Sequence, residues 1–123
     1  MGHLRRQKHA GEAEFLLFCT GWDRYWGTPA YFGSYLCLDG ETADWLLRQG
    51  KKGIGLDTRG PGLCDGYTAL PLHRRLLDGG ILAIENLTDL GRLGMGLVTL
   101  CALPLKHTDA AGAPIRAVAI IND

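Results

Sequence analysis

Three short apolar runs, each followed by a glycine, a polar turn or an asparagine, constrain this chain more than any other feature. They are "EFLLFCT" at 14–20, "GIGLDT" at 53–58 and "ILAIE" at 81–85. Each has the length of a strand and none alternates polar with apolar, the pattern of strands covered on both faces. The segments between the runs have helical periodicity. In "ETADWLLRQG" at 41–50, Ala43, Leu46 and Leu47 share one face, Asp39 or Gly40 can cap the start, and Gly50 stops it. In "LPLHRRLLD" at 70–78, Pro71 suits the first turn and Gly79-Gly80 ends the helix. Strand, helix, strand, helix, strand is the order of an α/β chain. Two further apolar runs follow, "LVTLCALP" at 97–104 and "IRAVAIIN" at 115–122, and add strands to that unit.

At 123 residues, 46% hydrophobic, the chain is one domain, 1–123, with enough apolar surface to form a core. Thirteen basic residues balance thirteen acidic ones, which leaves no basic face for nucleic acid. No apolar run reaches bilayer length, and the start "MGHLRRQKHAGEAE" has no apolar signal region, so a cytoplasmic protein without membrane partners is expected. Cys19, Cys37, Cys64 and Cys101 form no C-x-x-C pair and read as reduced. Cys19 and Cys101, inside apolar runs, are expected in the core, and Cys64, in a glycine-rich loop, is the one to test for reactivity. "GKKGIG" and "GRLGMG" lack the order and lysine of a phosphate loop.

The stretch "HRRLLDGGILAIEN" at 73–86 carries the chemistry. Glu85 closes an apolar run, where a carboxylate needs a cation, hydrogen bonds or a metal. Residues 73–78 carry a helix roughly 8 Å away from His73 at about 1.5 Å per residue. A strand of five residues then returns about 13 Å, over four steps of roughly 3.3 Å. His73 and Glu85 therefore come back to the carboxyl end of the sheet, where ligands of open α/β folds sit. Imidazole with carboxylate suits zinc or manganese. Equally, His73 can be a surface residue, with Glu85 paired to Arg74 or Arg92. Six of the ten aromatics lie between 22 and 35. Among them Trp22 and Trp26 can wall a pocket for a flat substrate, cover the edge of the core, or form an oligomer contact. Asp57 and Asp65 flank one loop and can touch a ligand or serve its turns.

Four segments together resemble the second half of the cyclase family of metal-dependent hydrolases, which includes bacterial kynurenine formamidases and isatin hydrolase. They are "LLFCTGWDRYWGTPAYF", "TADWLLRQGKKGIGLDT", "LPLHRRLLDGGILAIENLTDLGRL" and "LVTLCALPLKHTDAAGAPIRAVAII". The resemblance implies a truncated layered β/β/α fold, swivelling-domain-like, with His73 and Glu85 as metal ligands. It implies zinc or manganese as cofactor and an aromatic amide, formamide or cyclic amide as substrate, with Trp22, Trp26 and Asp57 near it. The family's H-x-G-T-H-x-D-x-P motif, which supplies most of the ligands, has no counterpart here; His3, His9 and His107 lack its neighbours. Met1 thus falls partway along the family's chain, and the site is expected to be incomplete in one chain. Where the family commonly has serine, Gly60 or its neighbour stands. Strands left without neighbours would expose sheet edges and apolar surface, so a homo-oligomer is expected. The alternative function is a non-catalytic remnant that binds small molecules or assembles.

Overall fold

The computed structural model describes residues 7–62 and 69–121. Cys64 and Asp65 lie outside the described residues, as does the start of the basic stretch at 3–9. The first three strands, β1 (Phe15–Phe18), β2 (Gly53–Leu56) and β3 (Leu82–Ile84), form a parallel sheet in the order β1-β2-β3. Helices α1 (Gly40–Arg48) and α2 (Ala69–Asp78) make the two crossovers. The sequence predicts all five elements, and each strand is shorter than its apolar run. Pairing aligns Leu16 with Ile54 and Phe18 with Leu56, and on the other side Ile54 with Ala83.

Strand residues alternate between faces, so Leu16, Phe18, Ile54, Leu56 and Ala83 point to one side. There they meet Ala43 and Leu46 of α1, Leu72 and Leu76 of α2, and Ile81. This is the core; Ala43, Leu46 and Ile54 are fully buried. The opposite side of β2 presents Gly53 and Gly55. A side chain at 53 would collide with the Phe15 ring, and one at 55 with Leu17 and Leu87. Glycine is required at both positions because neighbouring side chains lie across the central strand. Beyond that side lies the antiparallel hairpin of β4 (Thr99–Pro104) and β5 (Ile115–Ile120), paired Leu100 to Ala119 and Ala102 to Ala117. A cavity of about 350 Å³ separates the two sheets, lined by Leu17, Leu87, Leu90, Leu100, Ala117 and Ala119 among others. Helices, parallel sheet and hairpin thus stack as three layers, a truncated β/β/α arrangement.

Among the described residues only the inner face of the hairpin has a neighbour. On the outer face Leu103 is 74% exposed, and Val118 and Ile120 are each about half exposed. Cys101 shares this outer face, and Cys19 follows the last paired residue of β1; both are exposed, correcting the expectation that they lie in the core. Apolar neighbours in sequence placed them inside, but strand alternation and the early end of β1 turn them out. Among the described residues no helix is long and apolar enough to cross a membrane.

Two polar devices hold the frame. At the carboxyl end of β2, Asp57 is 1% exposed and accepts three hydrogen bonds. They come from the Thr20 amide at 2.8 Å, the Thr20 hydroxyl at 2.6 Å and the Gly21 amide at 2.7 Å. At the other end Lys51, 6% exposed, donates through Nζ to the carbonyls of Gly11 (2.9 Å) and Ala13 (2.6 Å), and burial lowers its pKa. Asp39 is the α1 cap, accepting from the Thr42 amide at 2.6 Å.

Replacing Asp57 with Ala leaves the Thr20 and Gly21 donors unanswered inside the structure. This is expected to cost about 3 kcal/mol, read from the denaturation midpoint, with Asp57→Asn losing less. The cap predicts a pH signature. Hydrogen bonds from the Thr42 side chain and amide hold the Asp39 carboxyl below its ordinary value. A lowered native value adds stability above the unfolded pKa that disappears as pH falls through the native one. Asp39→Ala is therefore expected to cost about 1 kcal/mol at neutral pH, and the gap to the parent protein to close in acid. A gap independent of pH would contradict the cap.

Candidate functional site

The carboxyl ends of the three parallel strands lead into the segments 19–21, 57–60 and 85–89, and these meet at one edge of the sheet. Loops placed outside the strand ends are free of ladder bonds, so their side chains can face a ligand. Asn86 donates its amide to the Thr58 carbonyl and Leu87 donates to that of Leu56, both at 2.9 Å, extending the β2–β3 partnership past its last paired residues. Asn86 and Asp89 hold left-handed backbone, with φ of 58° and 59°. The Asp23 carboxylate accepts from the Thr88 hydroxyl at 3.0 Å and the Asp89 amide at 3.1 Å, tying that loop to the aromatic segment.

His73 stands on α2 beside the core residues Leu72 and Leu76, and Glu85 directly follows β3. Their ring and carboxylate meet across the Gly79-Gly80 reversal: His73 Nδ1 lies 3.9 Å from Glu85 Oε1. Both side chains are partly covered, His73 at 37% and Glu85 at 29% exposure. The Oε1 atom itself is buried and has no hydrogen-bond partner among the described residues. Burial pushes the Glu85 carboxyl above its ordinary range, and His73 pulls it part of the way back. Arg92, one of the two arginines that could have neutralised Glu85, faces Asp89 instead.

An orphaned buried oxygen next to an imidazole nitrogen is the observation on which a metal can be judged. Two ligands of one ion at roughly 2.1 Å each stand about 3.4 Å apart in a tetrahedron and at most about 4.2 Å, so the 3.9 Å separation is within reach of a shared cation after a small side-chain adjustment. The donor types fit zinc or manganese as well. The set is incomplete: among the described residues no three of His, Cys, Asp and Glu come close enough to hold an ion. Gly60 adds a further feature. A Cβ there would stand 3.3 Å from Glu85 Oε1 and 3.7 Å from the Tyr35 hydroxyl oxygen, so the glycine keeps the space between them open.

The aromatic segment forms two short 3-10 turns, Trp22–Tyr25 and Pro29–Phe32. Trp22 is half-buried, donates its indole N–H to the Tyr31 carbonyl at 3.1 Å, and has its ring 6.2 Å from that of Tyr35. Trp26 is 67% exposed and meets Tyr31 edge to face at 5.1 Å. The buried Tyr31 donates its hydroxyl to Asn86 Oδ1 at 2.7 Å, and burial followed by the Asp57 charge raises its pKa while Arg59 opposes them. The rings thus pack on one another first, with Trp26 and Phe32 left open to solvent. Asp57 stands at this edge, but both its oxygens are committed to Thr20 and Gly21, which makes it a brace of the loop. Arg59 escaped the sequence reading. A lone arginine in a glycine-rich turn carries no periodic signal, and only the fold places it over Phe32 and Tyr35, 5.3 and 5.4 Å from their ring centres.

Comparison with known proteins agrees with this architecture. Residues 2–61 match the family described as "Putative cyclase". The chain is 34% identical to an uncharacterized protein of Methanocaldococcus jannaschii over 109 residues, which are 88% of this chain and 54% of that protein. It is 36% identical to a kynurenine formamidase of Bacillus cytotoxicus over 84 residues, 68% of this chain and 38% of that enzyme. The chain thus spans about half the length of the first relative and less of the second. In fold it is similar to a solved structure described as a potential metal-dependent hydrolase with cyclase activity. The TM-score is 0.65 at 24% identity, over 85% of this chain and 49% of that one. Together the matched segment, the relatives and the shared fold support a partial cyclase-family chain.

Proposed function

We propose that this chain contributes to a metal-dependent hydrolase acting on an aromatic amide, formamide or cyclic amide, with His73 and Glu85 as two ligands of its zinc or manganese ion. The observation that carries the reading is the buried, unpartnered Glu85 oxygen 3.9 Å from His73 Nδ1. The kynurenine formamidase relatives support the substrate class. When bound, a divalent ion supplies Lewis acidity for a carbonyl and lowers the pKa of water. His73 offers an imidazole nitrogen and Glu85 an oxygen without a hydrogen-bond donor among the described residues. Trp22 and Trp26 would offer a flat ring a surface on which to stack. Asp57 fixes the loop on which they stand. No general base is assigned, and the further ligands come from outside the described residues. We place the reaction in the cytoplasm, on the free state of Cys19 and Cys101.

A second reading has its own observation, the outer face of the hairpin. Leu103, Val118 and Ile120 present apolar surface of the kind that interfaces hide, which supports a homo-oligomer. In this reading the chain assembles or binds small molecules without catalysing. Metal analysis of the purified protein, followed by assays of N-formylkynurenine and isatin opening, separates the two. Bound zinc or manganese with turnover, both lost in His73→Ala, is the expected result. A metal-free, inert oligomer by light scattering would overturn the hydrolase and leave the assembly.

A further inference from the structure

We propose that Arg59 is an anion-recognition residue, receiving a carboxylate carried by an aromatic ligand at the edge of the site. Its guanidinium is braced on two sides. The Phe32 and Tyr35 rings lie 5.3 and 5.4 Å from its central carbon, and one terminal nitrogen donates to the Phe32 carbonyl at 3.0 Å. The Nε donor is buried and has no partner. Arginine offers its donors in a rigid planar fork that matches a carboxylate, and aromatic faces hold that plane in place.

The charges around it are otherwise engaged. Besides burial, the charges of Asp57, Asp23 and Glu85 raise the Tyr31 pKa and that of Arg59 lowers it. Asp57 accepts from Thr20 and Gly21, Asp23 from Thr88 and Asp89, and Glu85 faces His73. Arg59 makes no ion pair among the described residues. A cation fixed between rings, with a buried donor unanswered and no acid of its own, is a receptor for an external anion. The adjoining Gly60 opens the space between Tyr35 and Glu85, so the anion would bind one residue from the metal-ligand pair. The ligand class is therefore a flat aromatic amide that also bears a carboxylate. That extension to the substrate rests on the hydrolase reading; recognition of the anion does not.

The test uses the whole chain in EDTA, with benzoate and its neutral counterpart benzamide as probes, followed by tryptophan fluorescence and calorimetry. Benzoate is expected to bind about tenfold or more tightly than benzamide. Arg59→Met is expected to abolish that preference while leaving benzamide binding unchanged, and Arg59→Lys to keep part of it. If Arg59→Met does not fold by circular dichroism, the fall in benzoate preference with Arg59→Lys decides. Equal binding of the two probes, no binding of benzoate, or a preference intact in the variants would each overturn the proposal. Benzoate binding that appears only with added zinc would assign the carboxylate to the metal, sinking the Arg59 role while sparing the hydrolase. Arg59-dependent binding in EDTA from a protein without turnover would do the reverse.

Discussion

Everything at the functional edge depends on the Asp57 carboxylate. It ends the central strand, lies fully inside the protein, and draws Thr20 and Gly21 of the neighbouring strand's exit onto itself. A buried carboxylate without donors would be expensive, and here three donors answer it. The bonds fix where β1 releases the chain, and so where Trp22 and the rest of the aromatic segment begin. Asp23, one turn later, fastens that segment to Thr88 and Asp89. The edge is thus a set of three strand exits cross-tied by acids, with Tyr31 reaching across to Asn86.

The glycines of β2 explain the layering. Because Gly53 and Gly55 have no side chains, Phe15, Leu17 and Leu87 lie across the central strand, and the hairpin faces the apolar surface they make. On the other side the two helices supply an ordinary packed core. The asymmetry leaves one sheet face tightly covered and the other bounding a cavity, with the outer side of the hairpin uncovered. The cyclase-family frame accounts for the order of the elements, while the relatives extend well beyond the matched length.

Much of this was legible in the sequence, for identifiable reasons. Strand and helix positions follow from run length, the Asp39 cap and the Gly79-Gly80 stop. The convergence of His73 and Glu85 follows from the rise per residue on either side of that reversal. Tertiary hydrogen bonding was not legible. The letter Asp57 reads as ligand contact or turn residue, and only its bonds to residues 36 and 37 positions away make it a brace. Cys19 and Cys101 misled because apolar neighbours do not tell which face of a strand is covered. Arg59 was silent because its significance lies in rings and carbonyls about 27 residues earlier.

The central claim is that the imidazole of His73 and the carboxylate of Glu85 share one cation. Proton–nitrogen correlation spectra of the histidine rings, recorded while zinc is added below one equivalent, test it most directly. The account predicts that the His73 ring nitrogens shift first, and that they fail to do so in Glu85→Gln. Zinc that perturbs His9 or His107 while leaving His73 unmoved would contradict it.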